Sequence, residues 1–261
     1  MMGLDLLFLM FLVALVASFC DAIAGGGGLL TLPSLLLAGV EPVSALATNK
    51  LQASVGSVSA ALTFIRKGIV SWTKIWPMAL SAGIGSLLGA LSVNLLPPEV
   101  LKGFVPILLI AVALYFIFSP KLSDLDGKPK MSAFAFGLTV VPAIGFYDGI
   151  FGPGTGSFLT LGFVSLMGYG IIKSIGHTKV LNAATNLGAL LIFLTYGKII
   201  WALALAMAVG SFIGAQLGAR FAMKAGAKVV KPMLITICCL MAIKLLMEAD
   251  HPIRLFFAQL F

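Results

Sequence analysis

Eight apolar runs follow one another along the chain, at about 4–22, 43–65, 73–96, 99–119, 132–148, 177–196, 199–219 and 229–247. Each is close to the ~20 residues that cross a ~30 Å hydrocarbon core as α-helix. Two shorter runs, 27–40 and 156–171, sit among them. Backbone that faces lipid must satisfy its own hydrogen bonds, which admits only helices and closed barrels. No barrel-like alternation is present, so the fold class is an all-α polytopic membrane protein. Charge agrees: 10% of the 261 residues are charged, where a soluble domain uses about 25%.

The formal charge of +8 does not indicate nucleic acid. The basic residues are scattered over short loops, without a cluster and without interleaved aromatics. Cys20, Cys238 and Cys239 lie in or beside apolar runs and form no CxxC, so neither a disulfide nor a metal centre is expected. Ala22-Ile23-Ala24 looks like a signal-peptidase site, but Met1 to Leu7 hold Asp5 and no cation, so the basic region of a signal peptide is missing.

Displaced by 129 residues, the chain matches itself: Leu30-Thr31-Leu32 falls on Leu159-Thr160-Leu161, Lys50 on Lys179, Trp72 on Trp201 and Lys102 on Lys231. Gly39, Gly68, Gly85 and Gly89 fall on Gly168, Gly197, Gly214 and Gly218. Upstream, a two-residue insertion brings Asp21 of DAIAGGGG onto Asp148 of DGIFGPGTG. Apolar coincidences are cheap in such a chain; Trp, Lys, Asp and Gly at one offset are not. The expected organisation is a repeat over 1–120, a cytoplasmic linker over 121–131 and a second repeat over 132–261. Each repeat has four long hydrophobic helices and one short helix led by glycines.

Loop charge sets the orientation of the copies, because Lys and Arg collect on the cytoplasmic side. Counting the short runs as crossings puts 66–75, 120–131, 169–179 and 220–231 on one side, with most of the cations. Glu41, Glu99, Lys102, Lys198, Glu248, Asp250 and Arg254 remain on the other. That gives ten crossings, five per repeat, with both termini outside, and an odd number makes the copies inverted. Whether 27–40 and 156–171 cross fully stays open. A run of 14 residues is only ~21 Å of helix at 1.5 Å per residue. The glycine-rich backbone before it must then lie at membrane depth, where it is tolerated only beside a cavity or inside protein. Broken helices of this kind build substrate sites in secondary transporters.

The candidate site residues follow. Gly26, Gly27 and Gly28, with Gly154 and Gly156 in the second copy, let backbone approach a ligand and expose helix-start N–H groups to an anion; close helix packing is the plainer use of small residues. Lys50 and Lys179 are ionisable groups inside apolar runs, a functional signal by default, although lysines also snorkel to the surface. Thr48 and Asn49 precede Lys50; His177, which titrates near neutrality, stands two residues before Lys179, and Asn182 one turn beyond it. Asn186, Gln52 and Tyr147 are weaker candidates. Asp21 and Asp148 are candidates to pair the lysines, to carry a coupling proton, or only to cap helices. Trp72 and Trp201 read as interfacial anchors.

At DAIAGGGGLLTLP (21–33), ALATNKLQ (45–52), GFYDGIFGPGTGSF (145–158) and HTKVLNAATN (177–186) the chain resembles the TauE/SafE family, in its YfcA-like branch. The resemblance covers nearly the whole chain. It implies a multi-pass protein of the bacterial cell inner membrane and a transporter, some members being linked to export of sulfite, sulfoacetate or other sulfonates. The expected function is a secondary transporter, an exporter, of a small anion such as sulfite or an organosulfonate, by alternating access with proton or ion coupling. The rivals are an uncoupled anion channel and an intramembrane enzyme or lipid-handling protein. No HExxH, GxSxG or His/Cys cluster is present, so an enzyme is not expected. Expected partners are the small anionic substrate and the lipid bilayer, without cofactor, metal or nucleic acid; a homodimer is one assembly open to it.

Overall fold

The computed structural model describes residues 3–93, 110, 114, 117, 118 and 124–247. Lys102, Ser123 and almost all of the run 99–119 fall outside them, as do Glu99 and 248–261. The first half supplies α1 (Leu4–Ala24), α2 (Gly28–Leu37), α3 (Pro42–Arg66) and α4 (Trp72–Leu91). The second supplies α5 (Ala133–Leu138), α6 (Val140–Ile150), α7 (Thr155–Ser165), α8 (Ile171–Thr195) and α9 (Trp201–Leu246). No strand occurs among the described residues. Leu4–Ala24, Trp72–Leu91, Ala133–Ile150, Ile171–Thr195 and Trp201–Val230 are long and apolar enough to cross a membrane. The protein is therefore an all-helical chain with several spans.

Helix boundaries follow local chemistry. Glu41 begins α3: its carboxylate accepts the N–H groups of Val43 and Ser44 at 3.2 and 3.1 Å, with Pro42 just inside the helix. Those two N–H groups hold the exposed Glu41 carboxyl below its usual range. Gly39 and Gly168 end α2 and α7 at φ +79° and +67°; Gly68 and Gly197 end α3 and α8 at +72° and +64°. These turns occupy equivalent places in the two halves.

Two expected runs are shaped differently. The run 132–148 is not one helix. It breaks at Thr139 (φ −119°, ψ −67°), because Pro142 has no N–H to give the carbonyl of Leu138. The stretch 220–231, expected as a loop between two helices, is helical apart from Gly226, whose φ of +65° kinks α9. Asp124 Oδ2 accepts the N–H of Ala227 at 3.1 Å, at the residue where that kink opens the ladder.

The molecule is inside out relative to a soluble domain. Leu80, Ile84, Leu88, Leu191, Leu205 and Val209 are exposed, while Thr31, Asn49, Lys50, Gln52, Lys179 and Asn182 are buried. With lipid as solvent this is the favourable arrangement, since polar side chains then partner one another. The polar buried face of α3 also explains why that helix, as long as α8 at 25 residues, is the less apolar of the two.

The two halves interlock. α1 packs along α9 and α6 along α4; α3 and α8 run between them in contact with each other. Gly85 and Gly89 bring α4 against the carbonyls of Pro142 and Phe146, and their mates Gly214 and Gly218 bring α9 against those of Leu15 and Phe19. A Cβ at any of the four would run into those oxygens, so these glycines serve close helix approach, as in small-xxx-small membrane packing.

Candidate functional site

α2 and α7 have 10 and 11 residues, about 15–17 Å of helix, so neither alone crosses a ~30 Å core. Before each, the chain turns on left-handed glycines: Gly25 and Gly26 (φ +82° and +93°) and Gly152 and Gly154 (φ +94° and +86°). The two turns meet. A Cβ on Gly25 would lie 2.5 Å from the Gly156 carbonyl carbon, and Ser157 donates to the carbonyl of Ala24 at 2.9 Å. This is where both glycine-led helices begin.

The charged residues close over this meeting point in crossed pairs. Lys179 Nζ of the second half lies 2.7 Å from Asp21 Oδ2 of the first. Lys50 Nζ of the first half lies 3.1 Å from Asp148 Oδ2 of the second and donates to the main-chain oxygen of Asp148 at 2.5 Å. The lysines are 2% and 1% exposed, so neither snorkels. An unpaired charge there would be costly, and each finds its counter-ion on the opposite half.

The remaining polar groups continue the pattern. The Gly27 N–H donates to Asp21 Oδ1 at 3.0 Å and the Thr155 hydroxyl to Asp148 Oδ1 at 2.9 Å. Thr31 Oγ1 lies 2.5 Å from Asn49 Oδ1, and its mate Thr160 Oγ1 lies 3.2 Å from Thr178 Oγ1. Gln52 donates to Asn49 Oδ1 at 2.8 Å and accepts from Ser211. Asn186 donates to the main-chain oxygen of Asn182 at 2.8 Å.

Between these groups lies a cavity of about 40 Å³, several times the ~10–15 Å³ one water requires. Gly26, Gly27, Gly28, Asn49, Lys50, Gly156, Asn182, Asp21 and Asp148 all line it. Lys179 reaches it through Asp21. Three expected members lie elsewhere. Thr48 accepts the N–H of Ile200 at 3.1 Å. His177 stacks among Phe163 and Tyr169, with Nδ1 2.8 Å from the carbonyl of Lys173. Gly154 is the turn residue before α7. Thr31, Ser18, Ser57, Gly152 and Thr155 line the cavity without having been singled out. Thr31 carried a signal, since it matches Thr160 across the repeat; Ser18 on α1 and Ser57 on α3 carried none.

The crossed pairs set the electrostatics of the cavity. Two cations flanking a cavity were anticipated, with Asp21 and Asp148 as candidates to pair them; both carboxylates do so, each across the halves. Asp21 occupies the anion seat at the start of α2, taking both the Gly27 N–H and the Lys179 ammonium.

With this geometry in view, comparison with known proteins is decisive. Residues 10–245 match the family described as sulfite exporter TauE/SafE. The chain belongs to the TauE/SafE family. It is 48% identical over 254 residues to a "probable membrane transporter protein ORF9" of Sinorhizobium sp., covering 97% of each chain. It is 45% identical over 246 residues to a "probable membrane transporter protein" of Haemophilus influenzae, covering 94% of this chain and 96% of the relative. It is also 45% identical over 244 residues to the "probable membrane transporter protein YfcA" of Escherichia coli K12, covering 94% and 91%. These relatives place it in the YfcA-like branch. No solved structure matches it.

Proposed function

We propose that this TauE/SafE member is a secondary transporter, an exporter, that moves a small anion, sulfite or an organosulfonate, by alternating access with proton or ion coupling. Transport as such is supported by the family and by relatives called membrane transporters over nearly their full length; their bacterial sources favour the inner membrane. The single observation that carries the anion reading is the pair of buried lysines, each held by an aspartate of the opposite half at a glycine-led helix start.

The arrangement suits alternating access. The lysine–aspartate pairs and the α1–α9 and α4–α6 contacts all join one half to the other. Exchanging ion-pair partners at the centre would thus bias how the halves sit. An anion that competes with a carboxylate for Lys50 or Lys179 couples binding to that exchange, whereas an uncoupled channel has no need of neutralised lysines in its path.

Flux into proteoliposomes of purified protein tests this, using sulfite, sulfoacetate, taurine and thiosulfate with and without an imposed proton gradient. Movement of at least one anion that responds to the gradient supports the reading. Movement indifferent to every ion gradient favours a channel, and movement of none removes small anions of this class as cargo.

A further inference from the structure

Asp21 and Asp148 hold equivalent places in the two halves but have unequal partners, and the inference drawn here rests on the anion-transport reading. Both oxygens of Asp21 are engaged, Oδ1 by the Gly27 N–H at 3.0 Å and Oδ2 by Lys179 at 2.7 Å. Asp148 differs. Its Oδ1 accepts from Thr155 at 2.9 Å, but its Oδ2 is buried and receives no hydrogen bond. The Lys50 ammonium stands 3.1 Å from Oδ2 as its counter-ion, while its hydrogen bond goes to the main-chain oxygen of the same residue. Oδ2 is thus ion-paired without being hydrogen-bonded, and it belongs to a residue lining the cavity.

We propose that Asp148, rather than Asp21, takes up the coupling proton, and that protonation there hands Lys50 to the anion. A proton from solution adds to Oδ2 and forms the O–H bond; no other bond breaks, and Lys50 remains an ammonium. Asp148 is then neutral, and the cavity carries one uncompensated positive charge beside an O–H donor. An anion entering meets Lys50, the new O–H, and the side chains of Asn49 and Asn182. On the far side the anion leaves, Oδ2 returns its proton to solution, and the Lys50–Asp148 pair re-forms. Proton and anion thus travel together. For a dianion the bound pair has net negative charge, which an inside-negative potential drives outward.

The charged and titratable groups around Asp148 are few. α3 brings Lys50, α1 brings Asp21 and α8 brings Lys179 across the cavity. Its neighbour Tyr147 donates to the carbonyl of Pro153. On α4, which packs along α6, the sole ionisable residue is Lys74, exposed in the first turn. Asp21 differs in that the Gly27 N–H, at the start of α2, and the Lys179 ammonium each hydrogen-bond one of its oxygens.

Two readouts on the full-length protein in lipid test the assignment. The first needs no substrate: infrared difference spectra on acidification should show, beside the bands that the other carboxyl groups give in every variant, a carboxylic-acid carbonyl component present in the wild type and in D21N but missing from D148N. A component kept by D148N and lost in D21N overturns the proposal, as does a wild type with no such component across the range in which it stays folded. The second uses sulfite in proteoliposomes with a pH dye inside. D148N should move sulfite without moving protons, whereas D21N, whatever its rate, should keep the wild-type proton-to-sulfite ratio. An unchanged ratio in D148N overturns the proposal. If D148N does not fold, K50Q/D148N takes its place in the infrared readout, since it leaves no buried charge unpaired. A wild type that moves none of the anions overturns the transport reading, and the infrared assignment still decides between the two aspartates.

Discussion

Lys50, on α3 of the first half, lies 3.1 Å from Asp148, at the end of α6 in the second. The mirror relationship, Lys179 to Asp21 at 2.7 Å, uses the equivalent residues with the halves exchanged. Neither half can satisfy its own buried lysine. Charge pairing therefore binds the repeats at the level where both short helices start, while glycine contacts bind them along α1–α9 and α4–α6. The consequences can be measured.

Removing one member of a buried pair strands the other, at a cost of about 3–5 kcal/mol. We expect Lys50→Ala and Asp148→Ala each to lower the thermal midpoint of purified protein strongly. The double variant should lose much less than the sum of the two. Additive losses would show that the pair is not coupled in the membrane.

Lys50→Ala and Lys179→Ala should weaken anion binding more than Lys102→Ala, measured by calorimetry or thermal shift with sulfite. Lys102 matches Lys231 across the repeat but reads from the sequence as a loop residue, so it controls for simple loss of charge. Wild-type affinity in both intramembrane variants would move the anion site elsewhere.

Space around the glycines separates their roles. A Cβ at Gly27 would lie 2.9 Å from Asp21 Cβ, and one at Gly156 would lie 2.7 Å from Gly25 Cα, but at Gly28 the nearest atom is 3.7 Å away. Gly27→Leu and Gly156→Leu should abolish flux in protein that still inserts, and Gly28→Ala should retain it. Full transport by Gly27→Leu would leave the glycines as packing alone.

Loop charge sets the sidedness we expect: both termini periplasmic, 120–131 and 220–231 cytoplasmic. A cysteine at Ser123, or at exposed Lys128, should react with an impermeant thiol reagent only after the cells are permeabilised. Labelling in intact cells would overturn the inverted ten-crossing arrangement.

Asp126, in the linker, accepts the Gly170 N–H at 2.9 Å and pairs with Lys173. Partial burial works against ionisation, but these two partners outweigh it and hold the carboxyl below its ordinary range. Its stabilising contribution is thus present above the unfolded value of about 3.9 and is lost as pH falls through the lower folded one. We expect the Gly170 amide to be protected from hydrogen exchange at neutral pH, and to lose protection in Asp126→Ala, which removes the acceptor. Equal protection in the variant would mean the linker is held by other contacts.

Sequence alone settled what depends on composition and local pattern. Apolar length and scarce charge require lipid as solvent, and the 129-residue offset marks Lys50 with Lys179 and the two glycine clusters as equivalent. It also marks Gly39, Gly68 and their mates, because a helix that stops on a left-handed residue needs glycine wherever it stands. Tertiary structure decided everything that depends on which half a residue meets. Asp21 and Lys179 are 158 residues apart and Lys50 and Asp148 are 98; no helical periodicity reaches across such distances, so the crossing of the pairs could not be read from either half. The same holds for His177, whose residue type suggested a proton carrier but whose ring is enclosed by Phe163 and Tyr169. It holds also for Asp148 Oδ2, which Lys50 meets as a counter-ion while its hydrogen bond goes to the main-chain oxygen of the same residue.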